Sequence, residues 1–138
     1  MNAARLAEAR DLGVKLFRVV RQMEQDFEVV AASLGLTRLQ ARTLLGLEQP
    51  IPMRDLATTM SCDASNVTGL ADRLQRLGLI ERVPGADRRV KLLSLTEQGK
   101  SLRVELADRV AAGSTVSARL DKAERAQLEA LLDKLLAD

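Results

Sequence analysis

Apolar residues recur at three- and four-residue steps along the N-terminal part of the chain, where Leu6, Val14, Leu16, Phe17, Val20, Met23, Phe27 and Val30 stand among charges. That spacing places them on one side of a helix. It predicts a long amphipathic helix from residue 3 to about residue 34, with Glu24, Asp26 and Glu28 on a solvated face. In "LGLTRLQ", Gly35 supplies a stop and Thr37 a restart, and the spacing from Thr37 to Gln40 is that of a capping box. A second helix is expected to run to about Glu48.

"EQPIPMRDLATTM" carries two prolines that break this helix near Pro50 and leave Ile51 as a one-residue strand stub. Met53, Leu56, Ala57 and Met60 then resume helical spacing in a short third helix. After the tight connection "SCD", Asp63 can cap a fourth helix by accepting from the amide of Asn66, and Gly78 ends it. At roughly 100° per residue, Ala64, Val67, Leu70, Ala71, Leu74 and Leu77 fall on one arc of the fourth helix. Ser65, Asn66, Thr68, Gly69, Asp72, Arg73 and Arg76 occupy the other arc, which is left free.

"LIERV" and "VKLLSL" flank "PGADRR" and read as a hairpin, although the second strand is apolar on both faces. Thr96 caps a further helix, with Glu97 favourable at the positive end of its dipole. That helix is expected to run to about Ala112 or beyond. Asp121 with Glu124 signals a last helix bearing the stripe Leu128, Leu131, Leu132, Leu135. Both terminal helical regions thus carry an apolar stripe that one small winged domain cannot cover, which favours dimerisation.

Composition narrows the function classes. With 138 residues, the chain reads as one unit with room for a real core. A net charge of +2, from 21 basic and 19 acidic residues, means that any nucleic-acid affinity must come from where the charges lie. Cys62 is the single cysteine and there is no histidine, so the usual zinc, haem and Cys-His constellations are excluded. No metal, cofactor or catalytic residue is expected, and Cys62 reads as a small turn or core residue. Phe17 and Phe27 are the only aromatics, too few for stacking on single strands, whereas duplex recognition needs none. No signal peptide or membrane span is apparent, so a cytoplasmic location is expected.

A short helix, a tight turn, a helix with a free small-polar face and a charged hairpin make a winged helix-turn-helix in outline. The second helix of such a motif places its N-terminal residues in a major groove about 12 Å wide. Ser65, Asn66 and Thr68 can bond base edges or phosphates there without filling the groove, and Arg73 and Arg76 lie where phosphates run. An arginine at the hairpin tip can enter the adjacent minor groove, where A·T-rich sequence deepens the negative potential. Arg88 and Arg89 are the candidates, with Lys91 beside them. Asp87 would hold an arginine in a paired, extended geometry and so lower the entropy lost on insertion.

"LGLTRLQARTLLGLE" followed by "MRDLATTMSCDASNVTGLADRLQRLGLIERVPGADRRVKLLSLTEQG" resembles the MarR (multiple antibiotic resistance regulator) family. The wing "DRRVKLLSLT" is the most specific element. The resemblance implies a mainly α fold with a small β-hairpin (α+β), a winged helix-turn-helix core over residues 37–96, and N- and C-terminal dimerisation helices over 1–36 and 97–138. It implies a homodimer on a pseudo-palindromic double-stranded DNA operator and, commonly, repression relieved by a small-molecule effector of unknown identity. Carried over by position, Arg89 matches the minor-groove arginine, Asp87 its supporting acid, and Ser65, Asn66 and Thr68 the groove-facing positions. Gly69 departs from the pattern, standing where many relatives have a larger, often basic residue, so one contact is lost or a close approach gained. The peroxide-sensing cysteine and tyrosines of one family branch are absent from the first helix.

The expected function is a dimeric, sequence-specific transcriptional regulator with no membrane partner. The rival readings are a winged-helix protein–protein module without sequence-specific DNA binding, and an enzyme, disfavoured by the absence of histidine, metal cluster and glycine-rich phosphate loop.

Overall fold

The computed structural model describes residues 2–60 and 64–138. Two compact units emerge, one of residues 31–109 and one of residues 1–30 with 110–138. The helices α1 (Ala3–Ser33) and α5 (Glu97–Gly113) each contribute to both. The architecture is mainly helical with a small antiparallel sheet, as expected from the sequence.

The 31–109 unit, hereafter the winged unit, contains α2 (Arg38–Gly46), β1 (Ile51–Pro52), α3 (Met53–Met60), α4 (Ala64–Arg76), β2 (Ile80–Pro84) and β3 (Lys91–Leu95). Thr37 caps α2 as the spacing predicts: its hydroxyl accepts from the Gln40 amide at 3.1 Å, and the Gln40 side chain accepts from the Thr37 amide at 3.0 Å. The helix closes at Gly46, short of Glu48; Leu47 leaves the helical conformation with its amide donating to the Leu44 carbonyl at 3.3 Å, and the chain bends before it reaches Pro50.

The strand stub is two residues long and joins a three-stranded sheet of order β1-β3-β2. Ile51 pairs with Leu93 and Pro52 with Leu92, and Pro52 is tolerated because β1 is an edge strand. Since β3 is therefore central, its apolar residues on both faces have an explanation: Leu93 and Leu95 are buried and Leu92 is half-buried. Across the hairpin, Ile80 opposes Leu95 and Arg82 opposes Leu93.

On α4, Val67, Leu70, Ala71 and Leu74 are buried as the arc requires. Leu77 is not; it is half exposed, because it lies just past the last helical residue, where the chain turns out at Gly78. Gly78 takes φ +75°, and the amides of Gly78 and Leu79 return to the carbonyls of Gln75 and Leu74, both at 3.0 Å, satisfying carbonyls the helix end would orphan. The Thr96 hydroxyl then locks this corner, donating to the Gly78 carbonyl at 2.6 Å and accepting from the Gly99 amide at 3.1 Å. Gly99 is required there, because a Cβ on it would collide with the Leu79 carbonyl oxygen. The expected cap Asp63 and the residue Cys62 lie outside the described residues.

The second unit holds α1 up to Val30, the end of α5, a short α6 (Thr115–Arg119) that the periodicity does not reveal, and α7 (Lys122–Leu136). The capping box at α7 is present, with the Glu124 amide donating to Asp121 at 2.8 Å. Asp26 departs from its expected solvated role. Its carboxylate accepts from the Thr115 amide at 2.9 Å and from Gln22 at 3.0 Å. Hydrogen bonds from Thr115 and Gln22, with the nearby Arg119 charge, hold its pKa below the ordinary value of 3.8.

Every described apolar side chain that is buried lies between Ala31 and Leu106, inside the winged unit. The other unit leaves its apolar stripe open: Phe17 is 78% exposed, Val29 70% and Leu135 70%. No helix among the described residues is long and apolar enough to cross a membrane.

Candidate nucleic-acid interface

The burial of Val67, Leu70, Ala71 and Leu74 fixes the rotation of α4 about its axis, since these residues are held against the winged unit's core. The opposite arc is thereby presented outward. Asn66, Thr68, Arg73 and Arg76 are exposed on it, and Gly69 and Asp72 are half-exposed. Ser65 lies in the first turn of the helix by its backbone. The Thr68 hydroxyl donates weakly to the Met53 sulfur at 3.5 Å, which ties this position to α3. Space around Gly69 is open: beyond its own helical turn, no atom of the described residues lies within 4 Å of a Cβ built there, so no packing contact among them demands a glycine.

The hairpin tip is closed by its own backbone. The Gly85 amide donates to the Val90 carbonyl and the Val90 amide to the Asp87 carbonyl, both at 3.0 Å. Asp87 supports Arg89, but not by the expected pairing with a guanidinium. Its carboxylate accepts from the Arg89 backbone amide at 3.0 Å, folding the tip as an Asx turn. The side chains of Arg88 and Arg89 are consequently exposed, and like Arg73 and Arg76 they have no hydrogen-bond or ion-pair partner among the described residues.

Sequence reasoning missed the link between these two parts. Arg82 donates to Asp72 Oδ1 at 2.7 Å and also to Gln75 Oε1, so one side chain of β2 reaches two residues of α4. Asp72 is therefore spoken for by Arg82, which leaves Arg73 and Arg76 without it as a partner. A signal was available: Arg82 shares a strand face with buried Ile80, and an arginine on an inward face needs an acceptor.

Elsewhere in the winged unit, a cleft of about 370 Å³ opens beside Leu47, Pro50, Leu95 and Val104. Its cations are already engaged: Arg103 donates to the Leu45 carbonyl at 3.1 Å and pairs with Glu48 at 3.3 Å, and Lys100 pairs with Glu97 at 3.1 Å. Among the described residues no cluster of three or more potential ligands could hold a metal ion.

The arrangement can therefore offer a duplex small polar groups on a helical ridge and unpaired guanidinium groups on a hairpin. Comparisons with known proteins agree with this geometry. The family model described as MarR family matches residues 36–91, which run from just before α2 to the tip of the wing and the first residue of β3. The HTH-type transcriptional regulator MgrA of Staphylococcus aureus is 30% identical over 98 residues, covering 68% of this chain and 64% of that protein. This chain spans 62% to 64% of the length of the curated relatives it matches. Among solved structures, the apo form of wild type MarR from E. coli superposes with a TM-score of 0.77 at 27% identity, over 91% of this chain and 96% of that one. A cysteine-to-serine mutant of the same protein, complexed with operator DNA, matches with a TM-score of 0.73 at 27% identity, over 94% of this chain and 96% of that one. With the helix order, the wing and the sequence match in agreement, the chain carries a MarR-family domain over residues 36–91.

Proposed function

We propose that the protein is a dimeric, sequence-specific DNA-binding transcriptional regulator that acts in the cytoplasm without enzymatic activity. The observation that carries this reading is the outward polar arc of α4 standing in one unit with a hairpin whose tip arginines have no partner among the described residues. In the proposed complex, α4 enters a major groove with Ser65, Asn66 and Thr68 toward base edges, while Arg73 and Arg76 neutralise phosphates. Gly69 lets the helix approach without a side chain in between. Arg89, set by Asp87, enters the neighbouring minor groove, and Arg88 takes the flanking backbone. Residues 37–96 would form the DNA-binding region, and residues 1–36 and 97–138 the dimerisation helices.

Dimerisation follows physically from the open apolar stripes of α1 and α7, which a second copy of the chain would cover. Two copies related by a two-fold axis read a pseudo-palindrome with half-sites about 34 Å apart. The MarR-family domain supports repression relieved by a small-molecule effector as the regulatory sense.

The test is a titration of purified protein against a duplex identified by genomic footprinting and against its scrambled counterpart, at several salt concentrations. The expected outcome is a clear preference for the footprinted site, with log affinity falling with log salt by about 0.9 for each phosphate neutralised. Weak binding without sequence preference would instead favour a winged-helix protein–protein module.

A further inference from the structure

We propose that Arg82 is a positioning residue for duplex recognition, which neutralises Asp72 on the outward arc of α4 and clamps the wing strand to that helix. The inference rests on the DNA-binding reading above and adds to it a residue that does not itself touch DNA.

Three observations carry it. The Arg82 guanidinium spans two acceptors three positions apart on α4, reaching Asp72 at 2.7 Å and Gln75 beside it. A planar fork of donors can serve two acceptors at fixed separation, whereas a lysine ammonium acts as a point charge. The second observation is the position of Asp72. At roughly 100° per residue it lies close to Arg76 and Ser65 in angle, near the centre of the arc opposite Val67 and Leu74. A bare carboxylate there would face the phosphate backbone and repel it. Third, Arg82 belongs to β2, opposite Leu93 of the central strand, and β2 leads directly into the tip that carries Arg88 and Arg89. The clamp therefore ties the element meant for one groove to the element meant for the next.

Arg82 is poorly suited to contact phosphate itself. Its side chain is 29% exposed, and its two terminal nitrogens are both committed to protein acceptors, unlike those of Arg73 and Arg76.

A double-mutant cycle tests this, read as dissociation constants for the footprinted operator and a scrambled duplex at one salt concentration, with melting temperatures as a control. Arg82→Met is expected to weaken operator binding about 10- to 30-fold and scrambled-duplex binding by a smaller factor, about three- to fivefold. The exposed carboxylate repels any phosphate backbone, whereas the loss of the clamp matters only where both elements are in register. In an Asp72→Asn background the same change should cost less than about fivefold, because the carboxylate left facing the phosphates is gone. An equal loss in both backgrounds would mean that Arg82 contacts DNA directly, and no loss in either would mean that it positions nothing; both overturn the proposal. Should Arg82→Met fail to fold, Asp72→Ala/Gln75→Met breaks the clamp from the helix side and leaves β2 intact. It should bind the operator several-fold more weakly while scrambled-duplex binding holds, and an undiminished preference for the operator would overturn the clamp. If the unmodified protein shows no preference for any footprinted duplex, the DNA-binding reading itself fails, which is a different result from a preference that survives Arg82→Met.

Discussion

The winged unit and the unit built from the chain termini use similar residues to opposite ends. In the winged unit, Leu44, Leu56, Leu74, Ile80 and Leu93 are almost wholly withdrawn from water. In the terminal unit, comparable side chains on α1 and α7 remain open, with Leu136 at 79% exposure and Phe17 at 78%. The first unit closes its own core, because a three-stranded sheet and three short helices give each apolar face a partner. The second has long helices whose stripes outrun the chain available to cover them. The contrast teaches that exposed apolar surface marks an unfinished contact when it is contiguous along a helix, whereas an isolated case such as Leu77 is the ordinary consequence of a helix end.

The largest effect should come from attacking that open stripe. Phe17→Glu combined with Leu135→Glu should cost on the order of 5 kcal/mol of association, since it puts charges on the exposed stripes that the proposed second copy would cover. Sedimentation should then show a monomer, and the melting temperature should lose its dependence on protein concentration. A variant that still sediments as a dimer would place the interface elsewhere.

In the winged unit the same chemistry should behave differently. Leu74→Ala removes a fully buried side chain and should cost about 3 kcal/mol in denaturant unfolding, equally at low and high protein concentration. A cost that grew on dilution would show that this core, too, depends on the second copy.

Smaller again is the expected effect at the wing tip. Arg89→Ala should weaken operator binding by about 2 kcal/mol while thermal unfolding stays unchanged, because the exposed guanidinium has no partner among the described residues. Asp87→Ala, which removes the acceptor for the Arg89 amide, should act in the same direction through the shape of the turn.

The mildest test concerns Asp26. Its carboxyl is held below its ordinary 3.8 by Thr115 and Gln22, so its contribution to stability is full above that value and is lost as the pH falls through the lower folded-state value. Asp26→Asn should flatten this part of the acid limb, seen as a smaller difference between unfolding midpoints at pH 5 and pH 3. An acid limb identical to that of the unmodified protein would mean that the Thr115 contact does not persist in solution.

Much of this could be read before any coordinates. The capping boxes at Thr37 and Asp121 are local, as each needs only residues three apart. The arc of α4 was legible for the same reason, since burial of Val67, Leu70 and Leu74 follows from periodicity alone. Leu77 was misplaced because a helical wheel knows nothing of where the helix stops. Arg82 was missed because its partners lie on α4, ten and seven residues back, and their meeting depends on how β2 leaves the Gly78 corner. Asp26 was misread for a similar reason: Thr115 is 89 residues away.

By itself the sequence determined where the longer helices lie, how those with capping boxes start, which side of each is greasy, and that a hairpin follows the polar helix with arginines at its tip. These are consequences of interactions between near neighbours, and they persist whatever the rest of the chain does. Tertiary structure alone decided that β3 is the central strand, that Asp26 holds the Thr115 amide, and that Arg82 joins wing to helix. Each of these depends on atoms brought together by packing, where the geometry of approach, and not the residue type, selects the partner.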